Sequence, residues 1–390
     1  MISWKWKSKN RQPIGLDIGH NSIKMIQLAI NQEHISVIAA DKIRVDSSIN
    51  GNNEERQKFI VSAVSRMLSE GNFEGRNVIS CLPSDRIKIT SFRLTAAGED
   101  EIKQVWKEEV AQRFGLDPDK NAISYLPAGN VRDGDEIKRE LILFAAENET
   151  VKKHIDMLEQ AGLNPTGIDT VPCALFRNFE RLLKRQEDIA QPVVFVDLGN
   201  QYTTVVFGRD GEISFVKQIP IGGAKFNREI AAKLGIAINE AEILREMLRI
   251  ERAPNAKPDT AGSPMEQETA LDASTRQVMI DAVGTVAEDL AREISLCFRY
   301  YTITFRGKRV ERAILTGGEA YESILLNILK RQLAVDVEVA QPLKGIDMRN
   351  VEFDGDRRGL LCEWAVAVGL GLKGWNANRV KAGKNKNERN

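Results

Sequence analysis

Apolar positions along the chain alternate between two periods, and the switches between them mark out its elements. Residues 14–19, 22–30 and 34–45 are apolar or alternating runs parted by short polar turns, which predicts an antiparallel meander of three strands. Phe59, Ile60, Ala63, Val64, Met67 and Leu68 then recur at helical spacing, predicting a helix over 55–70. A strand "NVISCLP" follows, and "RIKITSFRL" alternates as a half-exposed strand does. Ile102, Val105, Trp106, Val110 and Phe114 share one helix face. "NAISYLPAGN", a turn around "RDGD" and "KRELILFAAEN" predict a hairpin, and 150–161 a helix ending at Gly162. Residues 82–165 therefore read as a strand–helix–hairpin–helix insert.

A second group of strands occupies 193–219, with hairpin chemistry in the turn "GRDG" at 208–211. Helical spacing covers 224–250, and 252–275, rich in Pro, Ala, Asp and Thr without periodicity, predicts a long mobile loop. A long helix over 276–303, a strand "RAILTGG", a helix over 319–333 and an apolar helix "LCEWAVAVGLGLKG" complete the pattern. The polar, basic end beyond 379 predicts disorder.

At 390 residues the chain exceeds one ordinary core, so two or more subdomains are expected. Lys+Arg 55 against Asp+Glu 55 leaves no net charge, and nothing global steers the chain toward nucleic acid. Cys81, Cys173, Cys297 and Cys362 lie far apart in apolar contexts, which predicts buried thiols in a reducing compartment. No stretch approaches the roughly 20 apolar residues that span a bilayer, and "MISWKWKSKNRQ" lacks the apolar centre of a signal peptide. A cytoplasmic protein is expected. Trp4 and Trp6, set among Lys5, Lys7 and Lys9, read either as a frayed basic terminus or as a contact with an anionic membrane surface.

One motif occurs twice. "IGLDIGHNSIKMIQL" and "VFVDLGNQYTTVVFG" each end an apolar run in Asp, one apolar residue and Gly, then resume after a few polar residues. This predicts two related halves, each opening with a hairpin whose turn lets backbone N–H groups approach a phosphate. Asp17 and Asp197 would face each other across a cleft and hold Mg²⁺ through its water shell, with Lys24 pointing back toward the same phosphates. "RAILTGGEA" adds Gly317 and Gly318 between a buried strand and a helix start, where adenine or a phosphate can sit close to backbone.

With these motifs in this order, the chain resembles the FtsA/PilM branch of the actin-like ATPase superfamily. The resemblance runs over about residues 13–373, through "PSDRIKITSFRL", "LILFAAENETVKKHIDMLEQAGLNPTGID", "IPIGGAKFNREIAAKLGIAINEAEILREM" and "EDLAREISLCFRYY". It implies an α/β, two-lobed actin-like fold: a first lobe from 1–81, 166–215 and 360–378, an inserted subdomain at 82–165, and a second lobe at 216–359. It further implies a cytoplasmic scaffold of a type IV pilus or type II secretion platform. Such a scaffold binds ATP with Mg²⁺ and holds the cytoplasmic tail of a PilN-like inner-membrane protein in a groove between first lobe and insert. Membrane contact would then be indirect, and self-association is open.

The resemblance carries nucleotide contacts onto Asp17, Gly19, His20, Asn21, Ser22, Lys24, Gly199, Asn200, Thr203, Thr204, Gly317 and Gly318, with Glu242 and Arg245 at ribose and base. Departures stand beside the matches. His20, Asn21, Asn200, Gln201 and Tyr202 replace small residues, and Glu319 would repel a triphosphate unless turned outward. Val171 stands where many relatives carry a water-positioning Glu or Gln, with Asp169 as a substitute, so at most weak hydrolysis and a structural nucleotide are implied. Three alternatives remain at this level: an FtsA-like membrane-associated filament protein, a sugar-kinase-like phosphotransferase, and an adaptor whose nucleotide site has decayed.

Overall fold

A computed structural model describes residues 11–32, 34–46, 49, 51–95, 108, 110–133, 136–183, 191–251, 271–305, 309–353 and 361–375. Strands β1 (Ile14–Ile18), β2 (Ser22–Asn31) and β3 (His34–Arg44) form the meander that the apolar runs predict. Helix α1 (Asn53–Glu70), capped by the Asn52 side chain on the amides of Glu54 and Glu55, buries its predicted stripe on this sheet, and β4 (Asn77–Cys81) joins β1 in parallel. Next come β5 (Lys88–Leu94), β6 (Asn121–Asp133) and β7 (Glu136–Glu147), a separate antiparallel sheet with β7 in the middle. Helix α2 (Asn148–Gln160) returns the chain to the first sheet, where β8 (Asn164–Asp169) pairs with β4, giving the order β3-β2-β1-β4-β8. Helix α3 (Val171–Glu180) leads out.

The second half repeats the plan. Strands β9 (Val193–Leu198), β10 (Thr203–Arg209) and β11 (Glu212–Ile219) form a meander, and β12 (Arg312–Thr316) and β13 (Asp336–Val339) add in parallel, in the order β11-β10-β9-β12-β13. Helices α4 (Gly223–Leu234), α5 (Ile238–Glu251), α6 (Ala273–Phe305) and α7 (Ser323–Gln332) pack on this sheet, and α8 (Ala365–Gly371) returns to cross α3.

Hydrogen-bonded ladders set the lobes, and they differ from the division read off the sequence. The β9–β11 meander belongs wholly to the second sheet, so a boundary at 215/216 cuts through β11. Helix α2 packs through Met157 and Leu158 beside α1 on the first sheet, so the insert narrows to the segment between β4 and α2. The insert sheet in turn leans on the second lobe: Val131 belongs to that lobe's core, and Ala128, Ile142 and Phe144 pack with Phe195 and Val206. The helical region 224–250 is two helices, because Gly235 turns left-handed at φ +66° and ends α4. Strand β8 carries Pro165 and Gly167 in place of an apolar run and β13 spans four residues, so neither gives a periodic signal, and the turn of 3-10 helix Gly318–Tyr321 delays α7. Trp4, Trp6, most of the expected 102–109 helix start, the 252–270 part of the expected loop, and the tail beyond 379 lie outside the described residues. Val110 and Phe114 are described, and pack with Phe92 in the insert's own small core.

His154 of α2 is buried against the first sheet, its Nε2 3.2 Å from Ser80 Oγ, and burial lowers its imidazole to about 4. The unfolded chain binds this proton from about pH 6.5 downward, whereas the fold refuses it until about pH 4. Stability is therefore complete above pH 6.5 and falls through that window, by roughly 3 kcal/mol in total. In urea unfolding at pH 7.5 and pH 5, the advantage of wild type over His154→Gln is expected to shrink at the lower pH. Parallel pH curves for the two proteins would exclude this assignment.

Candidate functional site

The repeated Asp-x-Gly motifs fold into the same turn twice. Gly19 N–H donates to Ser22 O at 3.0 Å, and Gly199 N–H to Tyr202 O at 3.1 Å. In both, Asp pairs across the ladder with the residue seven positions on: Asp17 with Lys24, Asp197 with Thr204. Close approach is what demands glycine here, since a Cβ would stand 3.0 Å from Ser22 O at Gly19 and 2.8 Å from Tyr202 O at Gly199. Gly317, at φ +90°, lies against the second turn, where a Cβ would meet Leu198 O at 2.5 Å and Asp197 Oδ1 at 2.6 Å.

The turns open on one cavity of about 520 Å³ between the lobes. Of the residues expected there, Asp17, Gly19, His20, Asn21, Ser22, Lys24, Asp197, Gly199, Asn200, Thr204, Gly317 and Gly318 line it. Lys24 Nζ holds Asp17 Oδ2 at 3.0 Å, with both side chains nearly buried. Burial pushes Asp197 up to about 7, the Asp17 charge adding to this and Lys24 opposing it. A buried carboxyl raised by a second carboxylate across the cavity fits a cation between the two. Among the described residues no group of three or more His, Cys, Asp or Glu side chains forms a cage, so the donor set suits a cation that keeps several waters, as Mg²⁺ does.

Three expected residues lie elsewhere. Thr203 is fully buried and donates to Ile221 O at 2.7 Å. Arg245 is buried over the Phe226 ring, 2.5 Å from Glu319 Oε2 and 3.3 Å from Glu322 Oε2. Glu242 does not line the cavity; Glu246 and Arg249, one helical turn further along α5, do, and Arg249 donates to Gly318 O at 2.8 Å. "EILREMLRIE" spells Glu-x-x-Arg twice in succession, and only the docking of α5 selects the second copy.

Glu319 lines the cavity too, but its carboxylate is paired with Arg245 and Arg249. Burial alone would raise its carboxyl, but Arg245 and Arg249 hold it below the ordinary range. The cavity also has walls absent from the sequence reading. Lys42 of β3 pairs with Glu363 at 2.9 Å, and Glu363 accepts from Tyr321 Oη at 2.7 Å, tying first sheet, returning chain and Gly-Gly turn together. Leu82, Pro83 and Ser84, where the chain leaves β4 for the insert, form another side. None of these stands in a glycine turn or an Asp-x-Gly motif, so nothing in the sequence marks them as cavity wall. Val171 presents only an isopropyl group to the cavity, and Asp169 is held by Arg177 at 2.9 Å and Lys373 at 3.3 Å.

Residues 15–255 match the family described as "Type IV pilus assembly protein PilM". The cell division protein FtsA of Bacillus subtilis (strain 168) is 22% identical over 361 residues, 86% of this chain and 80% of that protein. Among solved structures, the "PilM-PilN type IV pilus biogenesis complex" superposes with a TM-score of 0.72 at 20% identity, over 93% of this chain and 98% of the other. The ethanolamine utilization protein EutJ from Carboxydothermus hydrogenoformans reaches 0.52 at 14% identity, over 94% of this chain and 90% of its own. Two lobes of one repeated sheet plan, a cleft lined by both acidic turns and a family match over more than half the sequence lead to one conclusion: this chain belongs to the PilM family of type IV pilus assembly proteins and has the actin-like ATPase fold.

Proposed function

We propose that this protein is an ATP-binding scaffold of a type IV pilus platform that docks the cytoplasmic tail of a PilN-like inner-membrane protein. The observation that carries the nucleotide half is the convergence of Asp17, Asp197 and the Gly317–Gly318 turn on one interlobe cavity. Backbone N–H groups of the two turns bind the polyphosphate and Lys24 offsets its charge. Asp17 and Asp197 would hold the hydrated cation, which would supply neutralisation of the phosphate charge. The nucleoside end falls to Gly317, Gly318, Glu246 and Arg249, the last two in place of Glu242 and Arg245. Glu319 lines the cavity, but Arg245 and Arg249 neutralise its charge, and this favours a working site over a decayed one.

The same residues argue against fast turnover. Val171 cannot orient a water by hydrogen bonding, and Asp169 is committed to two cations. A positioned base or water contributes on the order of 10²–10⁴-fold, so the nucleotide acts as a latch between lobes. The partner half rests on the family and on the likeness to a solved PilM-PilN complex. Among the described residues no helix is long and apolar enough to cross a membrane, in keeping with attachment through a partner's tail.

Three outcomes test this reading. In thermal shift, ATP with Mg²⁺ at about 100 times Kd is expected to stabilise wild type by roughly 2.7 kcal/mol, and Asp17→Ala/Asp197→Ala to lose most of that gain. No stabilisation of wild type would leave a pure adaptor. Val171→Gln is expected to raise ATP turnover by on the order of tenfold or more in a phosphate-release assay. Fast turnover by wild type would sink the latch. A fluorescent peptide of a PilN-like cytoplasmic tail should bind in anisotropy titrations, and absence of binding would remove the docking role.

A further inference from the structure

The two turns are held from outside by different chemistry. In the second, the carbonyls of Gly199 and Asn200 accept from the amides of Gly223 at 3.1 Å and Ala224 at 2.8 Å, the first turn of α4. These amides have no partner within their own helix. The approach is so close that a Cβ on Gly222 would stand 2.5 Å from both carbonyl oxygens. In the first turn, the corresponding carbonyls of Gly19 and His20 accept from Arg56 instead, at 2.7 Å from Nη2 and 3.3 Å from Nη1. The N-terminal amides of α1 are engaged otherwise, those of Glu54 and Glu55 by Asn52 Oδ1. The next carbonyl, Asn21 O, accepts from Val45 N–H at 2.9 Å.

Peptide planarity turns these outer bonds into an inner arrangement. In a trans peptide the N–H points opposite the C=O. With the oxygens of Gly19 and His20 drawn onto Arg56, the N–H groups of His20 and Asn21 point the other way, and both residues line the cavity. The same holds for Asn200 and Gln201 in the second turn. None of these four N–H groups finds an acceptor among the described residues. Successive N–H groups turned one way make an anion-binding concavity.

We infer that Arg56 is a positioning residue for the first turn: its guanidinium fork does for Gly19 and His20 what the α4 N-terminus does for Gly199 and Asn200, aiming two backbone donors at an anionic group in the cavity. Only a planar fork spans two successive carbonyls, and an ammonium acts as a point charge. Asp85, in the short turn Ser84–Arg86 that opens the insert, faces Arg56 and offsets the burial of its charge. That the anion is the phosphate of ATP rests on the preceding section; the orientation of the turn does not.

The test keeps the two apart by using the full chain and two readouts. Backbone ¹⁵N order parameters of His20 and Asn21 are expected to fall from rigid values near 0.85 to below about 0.6 in Arg56→Ala, with Asn200 and Gln201 unchanged. Methylguanidinium added at millimolar concentration is expected to restore them, and Arg56→Lys to restore them incompletely. The Kd for ATP with Mg²⁺ is expected to rise about tenfold or more in Arg56→Ala and to recover with methylguanidinium. Unchanged order in the first turn overturns the inference, even where affinity drops. If wild type binds no nucleotide, the order parameters alone decide on Arg56, and the nucleotide reading is what fails. Should Arg56→Ala not fold, Arg56→Lys with the same readouts replaces it, and a turn as rigid as wild type there counts against the fork.

Discussion

Everything about the cleft depends on how closely α3 and α8 cross. At Gly369 the backbone of α8 lies against Ala174 O of α3, leaving no room for a side chain. Arg177 donates to Gly369 O at 2.7 Å and Asn178 to Ala365 O at 3.2 Å, so the crossing is pinned by hydrogen bonds as well as by contact. The two helices lie between two sheets of identical plan, and their spacing sets the separation of the turns that each sheet projects. A larger residue at the crossing would force the lobes apart, because a packed core does not yield by a methylene without cost. The cavity is thus a consequence of helix packing some distance from it.

Charge is arranged with the same economy. Lys24 meets Asp17, Arg245 and Arg249 draw in Glu319, Lys42 meets Glu363, and Arg177 with Lys373 holds Asp169. Asp197 carries no such ion pair among the described residues, and its carboxyl is the one whose proton affinity rises to about 7. An acid left in this condition beside a second carboxylate is what a cation site requires before the cation arrives. Neutralised neighbours confine that demand to one place.

Much of the local architecture was legible from spacing. The meanders, the α1 stripe, the long α6 and the two Asp-x-Gly turns follow from apolar period and from glycine at a closing turn, both governed by residues a few positions apart. The lobe boundaries were not, because a strand's sequence records that it is buried and not which sheet buries it. β9–β11 read correctly as strands yet were divided between lobes. Likewise 150–161 read correctly as a helix but was assigned to the insert, although its apolar face fits the first sheet.

The site divides along the same line. The sequence by itself determined that two acidic, glycine-closed turns exist in matching frames, since each forms within one hairpin. Tertiary structure alone decided that they share a cavity, that Glu246 and Arg249 face it while Glu242 and Arg245 do not, and that Glu319 meets two arginines there. It also brought Arg56 to a turn some 36 residues earlier in the chain. A helix's period says which residues share a face, but the direction of that face is set by packing against distant segments, as Arg245 and Glu319, 74 positions apart, illustrate.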